Sequence, residues 1–123
     1  MATFEHLEVW KLAQSLRRAI SGLAKTFPEE ERHRLEDQII RHSRQVATTL
    51  AHGTGIEDDE KNAQLCREAR GNLNATLDLL ICAYDEDYIS PDSYAKHRKM
   101  IENCMQALNE YLARLNKKVR GEE

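Results

Sequence analysis

Apolar side chains recur every three or four positions along most of the chain, which is the period of an amphipathic α-helix. In the first such segment the apolar stripe begins at Val9 and Leu12 and continues until Phe27 and Pro28. The residue before a proline avoids helical backbone angles, so the stripe must end there. The spacing predicts a first helix over about residues 5–26.

The second amphipathic segment follows directly on this proline. Pro28 suits the first helical position, and the three glutamates after it suit the positive end of a helix dipole. Gly53 and Gly55 are typical of a helix C-terminus and serve as the expected stop. The pattern predicts a second helix over about residues 29–52.

Two more segments complete the chain. Asp58 or Asp59 can cap a third helix, and the acidic run around them favours its first turn. Ser90 and Pro91 form a cap followed by an N1 proline, which opens a fourth helix. The expected ranges are about 58–84 and 91–118.

Four amphipathic helices joined by short connections indicate an all-α fold, an antiparallel up-down four-helix bundle formed by residues 1–123 as one domain. The second and third helices carry apolar residues beyond one stripe, including Ile40 and Ile81. Surplus apolar surface usually marks a partner, so the bundle is expected to associate through these faces. Alternatively, the wide arcs pack against two neighbours within one bundle.

Composition narrows the function classes. Of the 123 residues, 32% are charged and 41% hydrophobic, and the formal net charge is -3, which gives no global attraction to nucleic acid. No apolar run approaches the roughly 20 residues that cross a bilayer, and the N-terminus does not resemble a secretory signal. A cytoplasmic protein without membrane contact or small-molecule substrate is expected.

A stripe of arginines on the second helix is the best candidate for a polyanion-binding surface. The guanidinium group provides paired donors at a fixed charge, which matches phosphate geometry. A solvated helix face, with Arg41 paired to Asp37 four residues earlier, is the alternative. The candidate nucleic-acid-binding residues are Arg34, Arg41 and Arg44, with Arg17 and Arg18 as supporting residues on the first helix.

Metal and catalytic chemistry find little support. Glu30 and His33 form the only Glu-x-x-His pair, whereas a di-iron bundle needs two such pairs and further carboxylates. Cys66, Cys82 and Cys104 form no CxxC pair and are expected to be small buried hydrophobes. No metal, cofactor or enzymatic activity is therefore expected, although a small bundle enzyme or metal binder that uses Glu30, His33 and a carboxylate elsewhere is a distinct hypothesis.

Several short segments, in order and over nearly the whole chain, resemble the bacterial 23S rRNA intervening-sequence proteins. They are FEHLEVWKLA at 4–13, Phe27-Pro28, LEDQIIR at 35–41, AHGTG at 51–55, ARGNL at 69–73 and Tyr88-Ile89-Ser90. The same superfamily includes the accessory variability proteins of diversity-generating retroelements.

This resemblance implies that the four-helix bundles assemble into a ring-like homo-oligomer, a homopentameric barrel. For the accessory branch it also implies a partnership with a reverse transcriptase and its RNA. The expected function is that of a non-enzymatic accessory protein that binds RNA, a reverse transcriptase or both. A protein–protein scaffold of the intervening-sequence family, with no direct nucleic-acid role, is the alternative.

Overall fold

The computed structural model describes residues 3–122, which fold into four α-helices without any β-strand, so the all-α prediction is confirmed. The helices are α1 (Glu8–Ala24), α2 (Leu35–Gly55), α3 (Asp59–Asp85) and α4 (Pro91–Val119). Short 3-10 turns at Phe4–His6 and Glu29–Glu31 precede α1 and α2. None of the helices in this range is both long enough and apolar enough to cross a membrane.

The four helices pack in a closed cycle. Each helix contacts the next one along the chain, and α4 returns to contact α1. Their inward-facing leucine and isoleucine side chains form one continuous core. Its largest fully buried members are Leu16, Ile20, Ile39, Leu50, Leu73, Leu80, Ile101 and Leu108. The result is a four-helix bundle in which every helix has two neighbours.

The start of α2 differs from the sequence-based expectation. The three glutamates form a 3-10 turn, and Arg34, with φ -124° and ψ -103°, breaks the helical backbone before α2 begins at Leu35. The carboxylate of Glu31 accepts hydrogen bonds from the Leu35 N–H at 3.3 Å and from the Tyr88 hydroxyl at 2.8 Å. The acidic segment therefore caps α2 from outside and ties it to the α3–α4 connection.

The end of α2 also differs. Gly53 is not a stop, because α2 continues through Gly55. Gly53 is buried, and a Cβ atom there would overlap the side chain of Asn62 on α3, whose Cγ would lie 3.2 Å away. This glycine permits the close approach of two helices, which a pattern of helix stops does not reveal.

The caps of α3 and α4 match the predicted residues. The side chain of Asp58 accepts a hydrogen bond from the Lys61 N–H at 3.1 Å. Ser90 accepts one from the Ser93 N–H at 3.1 Å, and Pro91 is the first residue of α4. Both helices therefore begin where short polar side chains satisfy otherwise free backbone donors.

The wide apolar arcs are used mainly inside the bundle. Ala47 and Ala83 are completely buried, Ile40 is half-buried against the core, and Ile81 is half-buried. Among residues 3–122, Val119 is the only large hydrophobic side chain that is exposed, at 43%. The alternative in which each arc packs against two neighbours therefore accounts for most of these residues.

Candidate nucleic-acid interface

A concave surface between α1 and α2 brings four cationic side chains together. It has a volume of about 300 Å³ and is called here the cationic cleft. Its lining residues are Arg17, Arg18, Ser21 and Gly22 of α1, Lys25 directly after the end of α1, and Arg44 of α2. Three of the five predicted binding residues, from two different helices, thus meet at one place.

Helical spacing explains how α1 contributes to the cleft. Arg18, Ser21, Gly22 and Lys25 are separated by three, one and three positions and so share one face of the helix. Gly22 is exposed, and nothing lies within 4 Å of where its Cβ would be, so the backbone is open to a ligand. Lys25 was missed as a candidate, although it lies seven residues after Arg18, the spacing of two helical turns.

Arg17 is positioned by an aromatic ring. Its guanidinium carbon lies 5.8 Å from the centroid of the Trp10 ring, within range of a cation–π interaction. Trp10 is buried and packs edge-to-face on Phe4, with ring centroids 4.9 Å apart. The tryptophan therefore packs α1 into the core and also restrains a side chain of the cleft.

The four cations of the cleft have no carboxylate partner in the part of the chain that the structure describes. The ion pairs there join Arg41 to Asp37, Arg98 to Glu102 and Arg120 to Glu122. The cleft cations are thus not neutralised by the protein itself. An array of unpaired arginines and a lysine around a concavity is suited to bind an anion with several negative charges.

Arg34 and Arg41 lie outside the lining of this cleft. Both are exposed, and the Nη2 atom of Arg41 lies 3.8 Å from the Asp37 carboxylate, the pair foreseen as the alternative for this helix face. Both side chains of that pair are more than 60% exposed, so the interaction is weak. The predicted stripe is therefore divided between Arg44 in the cleft and two arginines outside it.

The candidate metal ligands remain apart from any cluster. Glu30 and His33 are exposed in the segment before α2. Within residues 3–122, no group of three or more histidine, cysteine, aspartate or glutamate side chains is arranged to hold a metal ion. His42, half-buried, forms a 2.8 Å hydrogen bond through Nδ1 with Asn72 of α3, so it joins two helices.

The three cysteines fall into two classes. Cys66 and Cys104 are buried, and burial raises the pKa of their thiols to about 11 and about 12, respectively. Both are therefore unreactive packing residues at neutral pH. The expectation of burial is wrong for Cys82, which is exposed. The small buried fraction of this residue and nearby carboxylates, that of Glu86 foremost, raise the pKa of the Cys82 thiol.

A comparison with family models agrees with the resemblance that the ordered sequence segments indicate. The family model described as 23S rRNA-intervening sequence protein matches residues 5–110. The chain belongs to this family. No curated protein matches it.

For this member of the 23S rRNA-intervening sequence protein family, the matched region includes α1, α2, α3 and most of α4. Every lining residue of the cationic cleft lies inside it. The end of α4, from residue 111 onward, lies beyond the match. The cleft therefore lies entirely within the region that the family model matches.

Proposed function

We propose that this protein is a non-enzymatic, self-associating bundle that binds RNA through the cationic cleft. The observation that carries the proposal is the convergence of Arg17, Arg18, Lys25 and Arg44 on one concavity without carboxylate partners in the described part of the chain. The RNA backbone is the polyanion that such an array fits. The resemblance to accessory variability proteins implies the context of this binding. In that context the protein is an accessory subunit of a reverse transcriptase in the cytoplasm, and it binds RNA together with that enzyme.

The chemistry of the cleft supports phosphate as the bound group. Arginine guanidinium groups donate two parallel hydrogen bonds to phosphate oxygens. The Ser21 hydroxyl lies among them as a further donor, and the bare backbone at Gly22 allows close approach. The lining is cationic and contains no aromatic ring on which a base could stack, so binding is expected to depend mainly on the RNA backbone.

The net charge explains why self-association matters for this proposal. The chain carries a formal net charge of -3, so a single cleft must attract RNA locally against an unfavourable overall charge. A ring of subunits, a pentamer by resemblance, repeats the cleft and lets several weak contacts act on one RNA. Affinity then falls steeply with added salt, since each phosphate contact releases counterions.

We also infer an antiparallel, up-down arrangement of the helices. Between α2 and α3, His42 pairs with Asn72 and Gly53 packs against Asn62, so the residue numbers run in opposite directions along the two helices. The connection between these helices, residues 56–58, is too short to return a chain to the other end of the bundle. This arrangement supports the expected topology.

The protein–protein scaffold is a second candidate function. The resemblance leaves it open, and the acidic net charge favours it. It predicts that the cleft arginines contribute nothing to RNA binding. The two candidates are therefore separated by the same measurement.

The test is the salt dependence of binding to a fluorescently labelled RNA hairpin with a single-stranded tail. The double variant Arg18→Gln/Arg44→Gln removes two cleft cations without changing side-chain length greatly. We expect affinity to fall by about tenfold or more, and the slope of log affinity against log salt to decrease by about 0.7 for each lost contact. Fluorescence anisotropy at several salt concentrations measures both.

A matched control removes two charges elsewhere. Lys96→Gln/Lys99→Gln changes two exposed lysines of α4, away from the cleft, by the same total charge. It should retain nearly the affinity and salt slope of the unchanged protein. If the two double variants bind equally well, or if the unchanged protein does not bind the hairpin at low salt, the RNA proposal fails and the scaffold function is favoured.

A further inference from the structure

An apolar groove runs along the outer side of α3 and α4, remote from the lining of the cationic cleft. It has a volume of about 590 Å³, and its apolar lining residues, called here its floor, are Leu77 of α3 and Ile101, Met105 and Ala113 of α4. Ile101 is buried, Leu77 and Met105 are half-buried and Ala113 is exposed, so the groove presents partly uncovered apolar surface.

The rim of the groove is acidic. Glu102 and Glu110 belong to its lining, and the other polar lining residues are uncharged amides. Glu102 is paired with Arg98 at 3.2 Å, whereas Glu110 accepts only a 3.4 Å hydrogen bond from the Gln106 amide among the interactions of residues 3–122. An occupant that fits this groove must therefore be apolar at its centre and basic at its edges.

The end of α4 has these two properties. Val119, 43% exposed, is the single large hydrophobic side chain that the described residues leave exposed. Lys117 and Lys118 precede it in the last turn, and both are exposed. The chain thus carries its own apolar knob with a basic surround, which we call the α4 tip (residues 117–119).

The α4 tip cannot enter the groove of its own subunit. Val119 follows Ala113, a lining residue, by six positions on the same continuous helix, which corresponds to a rise of about 9 Å. A helix does not fold back on itself over this distance. Contact between tip and groove must therefore join two copies of the chain.

We propose that the α3–α4 groove receives the α4 tip of a second copy, with Val119 on the apolar floor and its lysines beside the glutamates of the rim. The proposal rests on the self-association in the proposed function and names the surfaces that achieve it. It leaves the cationic cleft between α1 and α2 free, so that assembled subunits still present their arginines.

Two single substitutions at exposed positions test this contact without disturbing the core. Val119→Asp places a carboxylate on the knob, and Ala113→Lys places a cation in the groove opposite the lysines of the tip. Each should raise the dissociation constant for self-association by about tenfold or more, because an apolar contact is lost and a like charge or unpaired charge is introduced. Sedimentation velocity over a concentration series measures the change.

Ala95→Asp is the matched control, since it adds an acidic group at another exposed position of α4. Its sedimentation should equal that of the unchanged protein. Circular dichroism of each variant verifies that the helices remain formed.

A charge exchange gives the more specific test. Lys117→Glu/Lys118→Glu should weaken self-association, and adding Glu110→Lys to the same chain should restore it.

The outcomes separate this inference from the proposed function. If the unchanged protein assembles and the tip and groove variants dissociate while the control does not, the contact is supported. If all variants stay assembled, the tip–groove contact is wrong but self-association stands. If the unchanged protein is a single subunit at micromolar concentration, both the contact and the self-association are wrong, and the groove belongs to a different protein.

Discussion

Two polar regions of this bundle are arranged in opposite ways. At the junction of α2, α3 and α4, the Asn62 amide donates a 3.1 Å hydrogen bond to the Tyr111 hydroxyl and accepts a weak one from the Cys66 thiol, with a sulfur–oxygen distance of 3.9 Å. In the cationic cleft, by contrast, Arg17, Arg18, Lys25 and Arg44 have no carboxylate partner within residues 3–122. We call the first region the polar junction (Asn62, Cys66, Tyr111).

The difference separates residues that specify the fold from residues available for binding. A buried polar group without a partner is costly, so the polar junction fixes how three helices meet. Among residues 3–122, no fully buried side-chain nitrogen or oxygen lacks a hydrogen bond. Exposed cations are hydrated and carry no such cost, so the cleft contributes little to stability. Its charges are available to a ligand. Substitutions in the two regions should therefore change different measurements.

The largest effect on stability is expected from Gly53→Ala, beside the polar junction. The new Cβ atom would overlap the Asn62 side chain, so that either this side chain shifts and its hydrogen bond to Tyr111 is disturbed or α2 and α3 move apart. We expect the free energy of unfolding to fall by about 2 kcal/mol, a typical cost of overpacking. Urea denaturation followed by circular dichroism measures it, and RNA affinity of the folded protein should not change.

Gly71→Ala is the control for this substitution. Gly71 is exposed within α3, and no atom lies within 4 Å of the position of its Cβ. Alanine is a better helix former, so this variant should be more stable by about 0.5–1 kcal/mol. Equal effects of the two substitutions would show that helix propensity, not the approach of α2 to α3, governs both sites.

Removing the amide at the centre of the polar junction should have the next largest effect on stability. Asn62→Ala leaves the half-buried Tyr111 hydroxyl without this partner, and we expect a loss of about 1.5 kcal/mol in the free energy of unfolding. Tyr111→Phe breaks the same hydrogen bond from the other side. The double variant should be less destabilised than the two losses added together, and strict additivity would contradict coupling between the two residues.

In the cleft, the expected effect is on binding. Arg44→Glu reverses one charge among the four cations and should weaken binding to the RNA hairpin by about tenfold, or about 1.4 kcal/mol. Arg41→Glu should weaken it less, because Arg41 lies outside the cleft and already faces Asp37. Neither should change the free energy of unfolding by more than about 0.5 kcal/mol. A larger loss of stability for Arg44→Glu would show that Arg44 belongs with the residues that specify the fold.

The sequence predicted the helices much better than it predicted the site. Amphipathic periodicity and the caps at Asp58 and Ser90 depend on neighbours in the chain, so the observed α3 and α4 begin at or beside the expected residues. The role of Gly53 and the burial of Asn62 depend on a second helix, and no local pattern contains that information. The convergence of Arg44 with α1 is likewise a property of packing, which is why Arg34 appeared equivalent to it along α2.

The smallest expected effect concerns a partially exposed polar contact. It tests whether such a contact also belongs to the residues that specify the fold. The Tyr88 hydroxyl donates to Glu31, and this hydrogen bond, together with partial burial and nearby carboxylates, raises the pKa of Tyr88 from 10.0 to about 12. Because the folded state holds the proton more tightly than the unfolded state, the contact stabilises the fold fully below pH 10 and is lost as the pH rises towards 12. The Tyr88→Phe variant should therefore have a slightly lower urea midpoint than the unchanged protein at pH 8. Between pH 8 and 11 its urea midpoint should fall less than that of the unchanged protein. If both proteins decline in parallel, the contact between Tyr88 and Glu31 does not stabilise the fold and belongs with the solvent-exposed charges rather than with the polar junction.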